Sequence, residues 1–363
     1  MPSPSRPALA TARRVVVKLG SRTLAADAAV YGRVAEAVAA ARAESRHVVL
    51  VSSGAIALGV KKLGFGARPK EMAKLQAAAA AGQSLLMRAY EEAFAARGLV
   101  VAQVLLTHAD LADRVRANNA RAALSALFDA GATPILNEND SVAVDEIKFG
   151  DNDQLAAMVA PLVDADLLVL LSDVEGLLDA SGARIPFVAD AADAARHVRA
   201  STSDVGTGGM ASKIEAARRA SLAGAHVVVA DARAEGVLER VLAGDDVGTH
   251  FAAAPSRLSA KKHWIAFTLR PRGDVVLDPG AAEAVRLRGK SVLSIGVLGV
   301  RGDFRPGDAV RILDNAGVEL GRGLARCAAE DAVLVAGRGK DELPEARAAL
   351  AELVHRDEMV IWK

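Results

Sequence analysis

Six short apolar runs punctuate the first two-thirds of the chain: RVVVKLG from Arg14, HVVLVSSG from His47, VVAQVLLT from Val100, TPILNEND from Thr133, DLLVLLSD from Asp166 and HVVVAD from His226. Each is β-branched or leucine-rich at consecutive positions. That pattern predicts strands buried on both faces, and each run closes in a polar or glycine-bearing turn. Between most of them, residues 30–45, 72–97 and 116–130 repeat their apolar positions near every 3.6 residues, which predicts helices. Strands alternating with helices imply βαβ units and a mostly parallel sheet. With both sheet faces apolar, the expected architecture is a three-layer αβα sandwich.

The pattern changes after Ala254. A charged bridging stretch, SRLSAKKHWIAF, leads into DVVLD, SVLSIGVLGVRG, DAVRILD and VELGRGLARC, broken by Gly, Pro and Asp-Asn turns. Closely spaced short strands predict a small β-barrel, with one helix expected over 341–354. The expected organisation is a loose N-terminal tail over 1–13, an α/β domain over 14–259, a linker over 260–275 and the barrel over 276–363.

Composition narrows the class. The chain has 363 residues, enough for two domains, and 52% hydrophobic against 25% charged residues marks it as globular. Aromatics are only 3%, so the cores are aliphatic and alanine-rich. A net charge of +1 provides no global field for nucleic acid or acidic lipid. The one cysteine, Cys327, has no partner for an internal disulfide and no ligand cluster around it to suggest zinc. No apolar run approaches the ~18 residues of a membrane span. The opening MPSPSRPALATARR lacks the apolar stretch of a signal peptide. A cytoplasmic location fits these features.

In open α/β sheets, ligands bind beyond the carboxyl ends of the strands, so the strand-end residues matter most. The first strand ends in Lys18, Gly20 and Ser21, and the second in Ser52, Ser53 and Gly54. NEND covers Asn137 to Asp140; GDNDQ, carrying Asn152 and Asp153, opens a helix; SDVEG follows with Ser172 and Asp173. GTGGMASK precedes another helix and ends at Lys213. It is not the G-x-x-x-x-G-K-[ST] phosphate loop, because the order is reversed and Ala211 stands where the second glycine belongs. Each feature alone has an ordinary reading: a lysine finding solvent, a helix cap, or a turn bonded to its own backbone. Their joint placement at one sheet edge suits phosphoryl transfer, where catalysis is mostly positioning and charge stabilisation. No Ser-His-Asp order suggests acyl-enzyme chemistry, and no G-x-G-x-x-G follows the first strand.

The ordered set VVKLGS, VSSGAIALG, KLQAAAAAGQ, QVLLTHADL, NENDSV, KFGDNDQLAA, LLSDVEGL, GTGGMASKIEAA and VHRDEMV resembles the amino acid kinase family, and within it the branch that phosphorylates glutamate. The likeness spans nearly the whole chain, and the tail resembles a PUA domain. The resemblance implies transfer of the γ-phosphoryl of ATP, with Mg2+, to the side-chain carboxylate of L-glutamate. That reaction is the first step of proline biosynthesis, with proline as inhibitor. By motif position, Lys18 and Lys213 would meet the phosphoryl charge and Asp153 would orient both. Ser53, Asp140 and Asn152 would hold glutamate, with Asn137 close by. ATP would lie along Lys18, Ser172, Asp173, Thr207, Gly208, Gly209, Met210, Ala211, Ser212 and Lys213. The resemblance also implies a homo-oligomer and a functional link to the dehydrogenase that reduces glutamyl 5-phosphate. Three residues depart from the family's habit: Arg22 replaces a small hydroxyl residue, Leu178 a tyrosine, and Ser172 a threonine.

Acetylglutamate kinase, aspartokinase and uridylate kinase share this phosphate logic. Asp140 favours an acceptor with a free ammonium, which an acetylated amine lacks. An RNA-binding role for the barrel is disfavoured. Residues 276–363 hold 13 basic and 14 acidic residues, with only Phe304 and Trp362 to stack on bases.

Overall fold

The computed structural model describes residues 6–26, 29–143, 152–198 and 209–362. It comprises two compact units, Met1–Arg257 and Leu258–Lys363.

The first unit is built on one sheet of eight strands: β1 Arg14–Leu19, β2 His47–Ser52, β3 Val100–Leu106, β4 Ala132–Glu138, β5 Leu167–Ser172, β6 Phe187–Val188, β7 His226–Asp231 and β8 Thr249–Phe251. Their order is β3-β4-β2-β1-β5-β7-β8-β6. All neighbours pair in parallel except β7 and β8. The six expected strands are all present. β6 and β8 were not expected, because three residues or fewer leave no readable pattern. The chain builds β2, β3 and β4 to one side of β1, then crosses to build β5 and β7 on the other. The crevice at this reversal lies beyond the end of β1, where Lys18 sits.

Alternation along the strands sorts side chains into two layers. Val15, Val17 and Leu19 join Leu50, Ile135, Leu86 and Tyr90 in one core, while Val16 joins Val51, Leu136, Leu155 and Ile214 in the other. By the same parity, Lys18 faces the layer of the helices Asn152–Leu162 and Met210–Leu222. Ser52 and Asn137 face the layer of the long helix Met72–Ala95.

That long helix crosses the helix Ala55–Lys62 at backbone contact. A Cβ on Gly82 would stand 1.7 Å from the Ala55 carbonyl oxygen, and one on Gly59 equally close to that of Ala78. The alanine-rich KLQAAAAAGQ segment permits this approach, since small residues let helix axes close together.

Residues 6–12 are not a loose tail. Pro7–Ala10 is helical, Leu9 is fully buried, and the Arg6 guanidinium donates to the carbonyls of Val247 (2.7 Å) and Pro186 (2.8 Å) and pairs with Asp246. Burying one leucine and satisfying one guanidinium with fixed acceptors offsets the ordering of the segment. Residues 1–5 lie outside the described residues.

Near the other edge of the sheet, His226 Nδ1 and His250 Nε2 are 3.0 Å apart, and the amide of Ala253 also donates to His226 Nδ1. His226 Nδ1 is therefore an acceptor, and His250 Nε2 donates to it. Burial, then the neighbouring His226 and Arg6, push the His250 pKa down to about 4. Between pH 6.5 and 4 the unfolded chain binds a proton that the folded chain refuses, so stability falls as pH drops through that window. The expected loss is on the order of 3 kcal/mol by pH 4. Denaturant titrations at pH 7.5, 5.5 and 4.5 check it: His250→Gln should flatten the dependence, and equal slopes in both proteins would remove His250 as its source.

The second unit holds a five-stranded, mostly antiparallel sheet. Its strands are β9 Gly273–Leu277, β11 Val297–Gly302, β12 Ala309–Leu313, β13 Glu319–Leu324 and β15 Met359–Ile361, ordered β11-β9-β12-β13-β15. A separate pair joins β10 Val292–Leu293 to β14 Glu352–Val354. Where the sequence suggests a linker, Ala260–His263 and Trp264–Thr268 are helical, with Ile265, Ala266 and Phe267 buried. The expected helix over 341–354 is instead two 3₁₀ turns, Lys340–Glu342 and Glu345–Ala351, followed by β14. Pro344 sits between the turns, where it lacks the amide and disfavours a helical residue before it.

Candidate active site

Asp153 is fully buried at the start of the helix Asn152–Leu162. Lys18 Nζ lies 2.6 Å from its Oδ1 and Lys213 Nζ 3.0 Å from its Oδ2. The three residues come from separate elements: the end of β1, this helix, and the first turn of Met210–Leu222. Burial alone would raise the Asp153 pKa, but the two ammonium groups and their hydrogen bonds outweigh it and hold the carboxyl below its usual range. The positive helix N-terminus acts in the same direction. Both lysines are themselves largely buried. The result is a dry anion with two cations converging on it, at the carboxyl end of the central strand β1.

Beside this triplet lies a set of amides. Asn152 Nδ2 is 2.6 Å from the Ser52 carbonyl oxygen, 2.8 Å from Ser53 Oγ and 3.0 Å from Asn137 Oδ1. Gly54 takes φ +101° at the turn into the helix Ala55–Lys62, a conformation that suits glycine and swings Ser53 toward Asn152. Asp140 sits half-buried in the turn after β4. Ser53, Asn137 and Asn152 are thus brought together. Asp140 follows Asn137 by three residues.

On the other side of β1, Ser172 ends β5 and its hydroxyl donates to Asp173 Oδ1 at 3.1 Å. Gly209 precedes the helix Met210–Leu222 in extended conformation. Met210, Ala211 and Ser212 form the helix's first turn. Gln154 Nε2 donates to the carbonyl oxygen of Ser212 (3.2 Å), tying the Asp153 helix to the Lys213 helix. Thr207 and Gly208 lie outside the described residues, as does the Arg22 side chain. Leu178 is 45% exposed and pairs with Arg184 across a short hairpin.

Three side chains that complete this neighbourhood were not singled out by the sequence reading. Gln154 was quoted within its motif, but its tie to Ser212 depends on the packing of two helices. Gln83 and Tyr90 lie on the long helix. Gln83 Oε1 accepts from Asn137 Nδ2 at 2.8 Å, and the Tyr90 hydroxyl meets Ser52 Oγ at 2.9 Å. The available signal was a polar residue interrupting the apolar stripe of KLQAAAAAGQ. Among the described residues no group of acidic, histidine or cysteine side chains could hold a metal ion, and no helix is long and apolar enough to cross a membrane.

Residues 13–231 match the amino acid kinase family, and residues 273–345 match the PUA domain. Glutamate 5-kinase of Ralstonia nicotianae is 46% identical over 370 residues, covering 98% of this chain and 99% of its own. Glutamate 5-kinase of Myxococcus xanthus is 46% identical over 373 residues, covering 99% of each. That of Paraburkholderia xenovorans is 44% identical over 98% of this chain and 100% of its own.

Proposed function

Because the chain belongs to the amino acid kinase family, we propose that it acts as a glutamate 5-kinase, transferring the γ-phosphoryl group of ATP to the side-chain carboxylate of L-glutamate. A carboxylate oxygen attacks the γ-phosphorus, a P–O bond forms, and the bond to the β,γ-bridging oxygen breaks. ADP leaves with that electron pair, and the product is an acyl phosphate. An ionised carboxylate has no proton to lose, so the reaction needs no general base. The observation that carries this reading is Asp153, whose two oxygens are both engaged by lysines. A carboxylate so placed is a poor proton acceptor and a good organiser of positive charge.

In this reading, Lys18 neutralises the transferring phosphoryl group. Lys213, with residues 207–212, lies along the ATP phosphates, and helix N-termini add donors there. Ser172 and Asp173 border the nucleotide. Ser53, Asn137, Asp140 and Asn152 hold the amino acid. Mg2+ arrives as MgATP, held mainly by the phosphates and water, because it keeps several waters and takes few protein ligands. The acyl phosphate is a labile anhydride, so a reductase that consumes it is the expected functional partner in the cytoplasm, on the route to proline. Supplying MgATP with glutamate, N-acetylglutamate, aspartate or UMP, and measuring ADP release with hydroxylamine trapping, tests the reading. Turnover with another acceptor and none with glutamate would overturn it.

Proline shares glutamate's α-carboxylate and cationic α-nitrogen but offers no side-chain carboxylate to phosphorylate. It therefore competes for the same head-group site as an inhibitor. In sequence, the glycines, Pro69 and basic residues of the segment 59–73 suggest a loop that closes over either ligand. In the structure Gly59 to Lys62 are helical and Gly59 is packed against Ala78, so only residues 63–71 connect the two helices. Asp140→Ala is expected to raise glutamate KM strongly and to weaken proline, with little change in ATP KM, because a charge-assisted bond to the ammonium is lost. Equilibrium binding of labelled proline, titrated with glutamate, checks the shared site. Proline binding that persists at saturating glutamate would separate the two.

A further inference from the structure

The long helix Met72–Ala95 carries three polar side chains at intervals of seven residues: Gln76, Gln83 and Tyr90. Seven residues is nearly two helical turns, with a drift of about 20°, so the three share one stripe. Each bonds to a different part of the proposed acceptor site. Gln76 Nε2 donates to the carbonyl of Ala143, in the turn that carries Asp140 (3.2 Å). Gln83 meets Asn137 at the end of β4, and Tyr90 meets Ser52 at the end of β2. The rest of the helix's buried face is Leu75, Ala78, Ala79, Gly82, Leu86 and Phe94. Polar groups on such a face are costly unless bonded, and these bonds all lead to one place.

The amide orientations are fixed by backbone atoms rather than chosen. The carbonyl oxygen of Ser52 cannot donate, so the Asn152 atom 2.6 Å from it is the nitrogen. The amide of Glu138 donates to Asn137 at 2.9 Å, so that Asn137 atom is the oxygen. Asn137 Nδ2 must then face Gln83, whose Oε1 accepts it. With its nitrogen turned to the protein, Asn152 has its Oδ1 left over, and among the described residues nothing donates to it. Gln83 Nε2, turned away from Asn137, is buried without a partner.

Building on the acceptor assignment above, we infer that Gln83 is a positioning residue for the amino-acid acceptor: through Asn137 it locks the Asn152 amide so that its carbonyl oxygen receives the substrate's ammonium group. A carbonyl oxygen that lacks a donor recognises a free amine. It gives no equivalent bond to an acylated one, whose nitrogen has a single, less acidic hydrogen. Gln83 touches no substrate. It adds an acceptor that, together with the Ser52 carbonyl and the Glu138 amide, disfavours the flipped state in which Asn152 would present a donor to a cation.

Gln83→Met keeps the volume and removes both the acceptor and the buried unpartnered donor, so the melting temperature is expected to change little. Glutamate KM is expected to rise about tenfold, with kcat and ATP KM within about twofold, as for the loss of one oriented hydrogen bond. The preference for glutamate over N-acetylglutamate in kcat/KM should shrink by a similar factor. Gln83→Glu, which still offers Asn137 an acceptor, should restore glutamate KM. Should Gln83→Met fold poorly, Tyr90→Phe provides the second reading of the stripe, with a several-fold rise in glutamate KM and an unchanged ATP KM. An unchanged KM and preference in folded Gln83→Met, or equal effects on both substrates, would overturn the proposal while wild-type turnover of glutamate leaves the kinase reading intact. If the wild type prefers another amino acid, the same split is read with that acceptor.

Discussion

Replacing Asp153 with asparagine is expected to lower kcat by roughly a thousandfold, because two buried ammonium groups lose their shared counter-charge and the geometry it imposes. The side chain keeps its shape, so packing around the helix Asn152–Leu162 is preserved. What changes is electrostatic: Lys18 from the end of β1 and Lys213 from the helix Met210–Leu222 converge on one carboxylate, and only an anion holds both at 2.6 and 3.0 Å. Without it they repel, and the phosphoryl group meets cations in the wrong places. ATP itself brings negative charge, so its binding should survive. Nucleotide affinity by calorimetry and single-turnover rates separate the two effects. A variant that loses only ATP affinity would make Asp153 a binding residue and remove its organising role.

Lys213→Met is expected to reduce kcat by about a hundredfold, the usual consequence of deleting one group aimed at transition-state charge. Glutamate KM should move little, since the proposed function assigns this lysine to the ATP phosphates and not to the amino acid. The methionine fills the same buried channel, so the loss reports charge rather than a cavity. The residual activity should fall further in a double variant with Lys18→Met, by less than the product of the two single losses, because both lysines act through Asp153. Steady-state kinetics with saturating MgATP provide the comparison. Near-normal turnover in Lys213→Met would exclude that lysine from the mechanism.

How legible this was in the sequence differs from residue to residue. Lys18, Asp153 and Lys213 stood at strand ends or helix starts in motifs, and their convergence follows from strand parity and the βαβ alternation. The parallel strands were plain because doubly buried runs are continuous and apolar. β6 and β8 were not legible, since such short strands leave no periodicity. The docking of Arg6 against Val247 and Pro186 was hidden for another reason: its acceptors are backbone carbonyls, which every sequence has. Gln83 and Tyr90 were obscured by their surroundings, being single polar residues on an otherwise apolar helix face. What they do depends on Asn137 and Ser52, distant in the chain. Pro344 was visible and should have counted against a continuous helix over 341–354.

The backbone contact at Gly59 and Gly82 bears on how freely this region can vary. Two helices that touch carbonyl to Cα have no side chains between them to shear or repack, so they behave as one beam. The segment 63–71 between them is then a tether whose length and sequence do not set the crossing. One end of the beam is the Ser53–Gly54 turn. The other is the far end of a 24-residue helix, roughly 36 Å away from its start. A change in tilt that moves one end must move the other, and the three polar side chains of the long helix ride on it. Insertions in the tether should therefore be tolerated where a single methyl group at either glycine is not.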